Sequence, residues 1–205
     1  MGKLIEGFTI GEAGWQFMWI ISILGGAALG LGIERFIKIM IKSSKGRKEF
    51  MNSIAGLLKA EKIADAENFA KSSDLPLAKC LYAVLSNRDG GREMMERATD
   101  EVFLTEAPRV NRYLSIMVTL ANLATLTGLL GTIFGLILSF DAVANLPAAE
   151  RPAALADGIA VAMGTTFMGL VVAVPLLAAN GYFTMQSTRL IEEMEEKSLK
   201  VMNLL

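Results

Sequence analysis

Hydroxyl side chains at helical spacing inside apolar runs are the residues of this chain with the clearest chemical potential. In residues 113–144 the small and hydroxyl residues Ala121, Thr125, Gly128, Thr132, Gly135 and Ser139 recur. In residues 158–188 Gly158, Ala162, Thr166, Gly169, Ala173, Asn180 and Thr184 do the same. Steps of three, four or seven place each set on one face of a helix, at about 100° per residue. A threonine hydroxyl both donates and accepts hydrogen bonds, so such a face can hold water or solvate a carboxylate without carrying charge itself. It can equally serve close helix packing, because threonine also bonds its own i−4 carbonyl. Packing and a polar passage both remain open on spacing alone, and neither turns the face towards lipid.

The ionisable groups near these runs are few. Asp141 and Asp157 sit at their outer ends and are candidate proton-entry carboxylates. Interfacial solvation is the alternative for both, with helix capping for Asp157. Glu34 and Arg35 end an earlier apolar run and read as residues that snorkel to the interface. Asn180 suits an interhelical hydrogen bond, and Pro175 is expected to kink its helix. The chain has no histidine and a single cysteine, Cys80. An intrachain disulfide is therefore excluded, and the usual soft-metal and histidine-based catalytic sites cannot be built. With no phosphate loop and no nucleophile–base pair, no enzyme, metal site or cofactor is expected. A net charge of −1, without a basic patch interleaved with aromatics, gives no reason to expect nucleic acid.

The elements that must hold these residues follow from charge segregation. Of the 205 residues 53% are hydrophobic and 20% charged, but charges are almost absent from three stretches. Each stretch reaches the roughly 20 apolar residues that a bilayer crossing needs. The reading is an external N-terminus at 1–13, a first transmembrane helix at 14–41 and a cytoplasmic helical domain at 42–112. The second span is 113–144, followed by an external loop at 145–157, a third span at 158–188 and a cytoplasmic C-terminal helix at 189–205. Lys38, Lys42, Lys45, Arg47 and Lys48 follow the first span, whereas the 145–157 loop carries one cation, Arg151. The positive-inside rule then puts the N-terminus outside and the C-terminus in the cytoplasm. The first span has no basic segment ahead of it and is read as retained rather than cleaved. Gly25, Gly26, Gly30 and Gly32 suggest a close helix contact or local flexibility there. Within 42–112, Asp74-Leu75-Pro76 marks a helix start, residues 87–91 a turn, and 93–107 a charged helix. The acidic tail reads as a solvated helix face with apolar residues at Leu190, Ile191, Met194, Leu199 and Met202. The fold expected is an all-α membrane protein with three transmembrane helices, whose long helices extend into a cytoplasmic helical domain.

Several strings carry a family resemblance. Gly128-Leu129-Leu130-Gly131-Thr132 runs on into Ile133-Phe134-Gly135, and Gly158 to Leu170 is followed by Ala173-Val174-Pro175. These resemble the paired helices of the MotA/TolQ/ExbB proton-channel family, nearer to ExbB and TolQ than to MotA. Ile33-Glu34-Arg35 is a further match, and the three-span order with a middle domain follows the family plan along the whole chain. The resemblance implies a motor or stator subunit in the bacterial inner membrane. It implies a homo-oligomer, a pentamer in the family, around a pair of single-span partners of the ExbD/TolR type, with a TonB/TolA-like protein as a further partner. Proton flow then drives outer-membrane transport or envelope processes. The resemblance puts Thr132 and Thr166 on the proton path, with Thr165 and Asn180 beside it. Gly128, Gly131, Gly135, Ala162, Gly169, Ala173 and Pro175 become helix-packing positions. Two positions depart from the pattern: Val161 stands where ExbB and TolQ usually have glutamate, and Thr125 where the second helix usually has proline. The proton acceptor must then come from a partner, from Asp141 or Asp157, or from Glu34. A MotA-like, gliding or secretion motor is the alternative of the same class, and a non-conducting membrane scaffold is the alternative of another.

Overall fold

The computed structural model of the chain describes residues 8–9, 14–42 and 46–205; most of the expected external N-terminus, and Lys45 of the cation cluster, lie outside these described residues. All regular structure among the described residues is helical. The helices are α1 (Trp15–Arg35), which continues as a π-helix (Phe36–Lys42), α2 (Arg47–Lys59), α3 (Ile63–Lys71) and α4 (Pro76–Ser86). A 3-10 turn (Arg88–Gly90) leads into α5 (Gly91–Asn111), then α6 (Leu114–Ala144) and α7 (Arg151–Met202). Three helices are long and apolar enough to cross a membrane, so the protein is an all-α membrane protein.

The chain divides into two compact units, Met1–Ile33 with Ser115–Gly181, and Glu34–Leu114 with Tyr182–Leu205. In the first unit small side chains make up much of the interior, beside Met18, Ile21 and Met117. Its buried positions include Ala28, Ala121, Ala124, Ala162, Thr165 and Ala173. Ile23, Leu29, Leu126, Ile137, Phe140, Met163 and Val174 are exposed. Water would penalise that surface at about 25 cal/mol per Å² of apolar area, whereas lipid tails do not. Without a hydrophobic drive between helices, close backbone approach must hold them, and small residues permit it. α7 begins at Arg151, so residues 151–156, expected in the external loop, are helical, and Asp157 lies inside the helix rather than capping it. Of the four glycines of α1, only Gly25 is close to a neighbour: a Cβ there would lie 3.1 Å from Val172 Cγ2, while Gly26, Gly30 and Gly32 face open space.

The second unit follows ordinary rules, with large side chains inside. α4 is its central helix, burying Leu77, Leu81, Val84 and Leu85 together with Ala78, Cys80 and Ala83. Pro76 occupies the first turn, where its missing N–H costs nothing, and Leu75 before it is extended, as the sequence predicts. The turn expected at 87–91 is the 3-10 turn, and the charged helix expected after it is α5. Phe50 and Ile54 of α2 and Met95 of α5 pack into the same core. Leu190, Met194, Val201 and Met202, from the end of α7, complete it. The tail is therefore not merely a solvated acidic face. Its apolar stripe is core, and polar links tie it down: Arg47 to Glu193 at 3.1 Å, Arg92 Nη1 to Asn203 Oδ1 at 3.2 Å, and Ser187 Oγ to Asn111 Oδ1 at 2.5 Å.

Candidate functional site

The two small-residue faces meet each other. A Cβ added at Gly128 would lie 2.9 Å from the Thr165 carbonyl oxygen and 3.0 Å from Thr166 Cα. At Gly169 it would lie 2.6 Å from the Ala124 carbonyl oxygen, and at Gly135 2.8 Å from Ala162 Cβ. Gly158 packs against Ser139 in the same way, and Gly131 against Thr165 and Phe17. The α6–α7 hairpin thus covers most of both faces within one chain, with Thr132 and Thr166 half-buried and Thr184 exposed. Small residues alone therefore give no independent reason to require an oligomer. They still set how closely the helices approach, and so where the hydroxyls fall.

Those hydroxyls gather at the crossing point. Thr165 Oγ1 is within reach of the carbonyls of Gly128 at 3.0 Å and Ala162 at 2.8 Å. Thr166 Oγ1 lies 3.0 Å from the same Gly128 carbonyl. Thr132 Oγ1 sits 3.2 Å from both the Gly128 and Ala162 carbonyls and is hydrogen-bonded to Thr166 Oγ1. Each hydroxyl has one proton, so these contacts outnumber the bonds that can exist at one instant. Thr165 is closed off at 1% exposure, whereas Thr132 and Thr166 are only half-buried. The pair therefore leaves hydroxyls partly exposed in helices whose exposed side chains include Leu129, Ile133, Met163 and Phe167. The neighbouring Val161 is half-buried and offers no charge.

The other expected site residues lie elsewhere. Asp141, in the last turn of α6, and Asp157, in the second turn of α7, are exposed. Each is about 13–14 Å along its helix from the threonine pair, at about 1.5 Å rise per residue, beyond hydrogen-bond reach. Asn180 is buried at 8% exposure, near the other end of the unit's share of α7. Ala162, Gly169 and Ala173 are buried in the hairpin, whereas Pro175 is exposed inside a helix that runs on through it. Arg35 does not snorkel: it is 1% exposed, and its Nη1 donates to the Val110 carbonyl at 3.1 Å. Spacing could not distinguish Thr165 from Thr166, because adjacent residues differ by about 100° and either can face the hairpin partner. No group of acidic or cysteine residues that could hold a metal occurs among the described residues.

Comparison with known proteins agrees with this architecture. Residues 72–196 match the model of the MotA/TolQ/ExbB proton channel family. The biopolymer transport protein exbB1 of Vibrio cholerae is 26% identical over 189 residues, covering 91% of this chain and 82% of that protein. A putative ExbB-like biopolymer transport protein of Synechocystis is 28% identical over 158 residues, 75% of this chain and 73% of its own length. A putative ExbB homologue of Methanothermobacter thermautotrophicus is 35% identical over 109 residues, or 53% of this chain, and the match spans only 38% of that longer protein. With the matched region taking in α4 to α7, and so both helices of the threonine crossing, this chain belongs to the MotA/TolQ/ExbB proton channel family.

Proposed function

We propose that this protein is the ring-forming subunit of an ion-driven motor in the bacterial inner membrane, working with a single-span ExbD/TolR-like partner. In this reading its N-terminus is outside, its C-terminus is in the cytoplasm, and proton flow past the threonine pair powers movement used in outer-membrane transport or envelope processes. The observation that carries the reading is the half-buried Thr132–Thr166 pair on an apolar surface of a proton-channel family member. The half-buried hydroxyl pair gains nothing from lipid tails and much from a polar partner. A carboxylate brought there by the partner helix would find a donor hydroxyl when ionised and an acceptor when protonated. The half-buried Val161 leaves the charge to the partner, with Asp141 and Asp157 placed to feed protons from the outer end.

Replacing both threonines by valine tests this reading, because valine keeps the branched shape and removes only the hydroxyl. Each lost hydrogen bond costs about 0.5–1.5 kcal/mol, too little to unfold a bundle held by this many close contacts. The expected result for Thr132→Val with Thr166→Val is normal assembly in size-exclusion chromatography with loss of proton flux in liposomes containing the partner. Wild-type flux from that variant would make the two threonines packing residues only, and absence of flux from the unaltered complex would favour the non-conducting scaffold. The scaffold has one observation on its side: both hydroxyls already find acceptors within the hairpin.

A further inference from the structure

Arg35 is the largest fully buried side chain among the described residues, yet its guanidinium is only partly satisfied. Nη1 donates to the Val110 carbonyl, while Nε and Nη2 have no hydrogen-bond partner. The nearest carboxylate oxygen, Glu34 Oε1, is 3.9 Å from Nη2 and is held at 2.5 Å by Lys38. Nε–H and Nη2–H form the parallel fork that matches two oxygens of a phosphate or carboxylate. Leaving two charged donors buried and unmet is costly unless a negative charge stands close by.

Arg35 lines a cavity of about 480 Å³ in the second unit. Its walls also carry Lys38, Lys79, Arg109 and Arg112, against two acids, Asp74 and Glu106. Glu106 is already shared by Lys79 at 2.9 Å and Arg109 at 2.6 Å. Arg112 has no ion pair among the described residues, and its guanidinium lies 4.4 Å from the centre of the Tyr113 ring. Arg35 lies 5.3 Å from the same centre, so the two like charges flank one aromatic ring. Glu34 is the carboxylate near these two guanidiniums, and Lys38 already holds it, so the pair is left short of negative charge and calls for an outside anion.

We infer that this cavity binds a phosphate group, held by the exposed Arg112 and attracted by the charge of Arg35 buried in its wall. Phosphate fits the fork geometry of Arg112, and its charge matches the excess of cations on the walls. The group can arrive as an anionic lipid headgroup, since the cavity adjoins the end of the first span, or as free phosphate.

The full-length protein in detergent micelles distinguishes the two sources. In one arm, micelles carry phosphatidylglycerol or phosphatidylcholine, and bound lipid is counted by native mass spectrometry. In the other, thermal stability is read in inorganic phosphate against chloride at equal ionic strength. The expected result is retention of phosphatidylglycerol over phosphatidylcholine, or a phosphate-specific rise in Tm, the responding arm naming the source. Arg112→Gln should weaken the response about tenfold, as loss of a charge-assisted hydrogen bond does. Arg112 is exposed, so this variant keeps its fold even where Arg35→Gln does not. Arg97→Gln, which removes an exposed cation outside the cavity, should leave it unchanged. No response to either probe, or equal responses from Arg112→Gln and Arg97→Gln, would overturn the site.

Discussion

Single atoms set the tolerance of the membrane unit. At Gly169 an added methyl would lie 2.6 Å from a backbone oxygen of Ala124, which cannot swing aside as a side chain can. Gly169→Ala should therefore force the helices apart and destabilise the hairpin by about 1–3 kcal/mol, read as an earlier midpoint in a denaturing-detergent titration. Gly26 on α1 meets nothing within 4 Å, so Gly26→Ala should leave that midpoint unchanged or slightly higher. Should Gly26→Ala instead abolish function in a stable subunit, another chain must cover that face. The identities of these packing residues were legible in the sequence, because small residues repeating at helical steps inside an apolar run admit few readings. Their partners were not. Gly158 against Ser139, and Gly131 against both Thr165 and Phe17, are set by the relative rotation of three helices, which no single helix encodes.

At the level of elements, the end of α7 behaves as part of a water-soluble core. Met194 is fully buried among α2–α5 residues, so Met194→Ala should cost about 2–5 kcal/mol by leaving a cavity. Glu195, one residue on and exposed, should change stability by no more than about 0.5 kcal/mol when replaced by alanine. Urea titration followed by circular dichroism measures both. The apolar stripe Leu190, Met194, Met202 was visible as a pattern, but the adjacent glutamates pointed equally to a solvated helix. Only the presence of a core lacking one wall decides between them, and that is a tertiary fact. By contrast, Pro76 and residues 87–91 announced their structures locally, because proline geometry and the glycine pair act on their own backbone.

For the whole molecule, the proposed orientation puts the second unit in the cytoplasm. Cys80 makes the measurement simple. It is completely buried, and burial pushes its thiol from 9.0 up to about 12, so at pH 8 it is neither accessible nor ionised. Single reporters can then be added to the natural sequence. With the C-terminus in the cytoplasm, Ala148→Cys should react with an impermeant maleimide added to intact cells, and Asp89→Cys only after the membrane is opened. The opposite pattern would invert the orientation drawn from the cations at 38–48. The span count and family were written in apolar length and in the glycine–threonine strings. The orientation was written separately, in the cations that follow the first span, because it depends on charge rather than on packing.

The knot of hydroxyls on the Gly128 carbonyl has a consequence for how the bundle answers an electric field. Thr132, Thr165 and Thr166 have more acceptor choices than protons to share, so the same heavy-atom positions admit several proton arrangements. Each arrangement points the local dipole in a different direction. A charge approaching the threonine pair can select the arrangement that favours it by rotating hydroxyls, with no helix displaced. In surroundings of hydrocarbon, where little else can reorient, this makes the crossing point a small pocket of high polarisability set into a medium that has almost none.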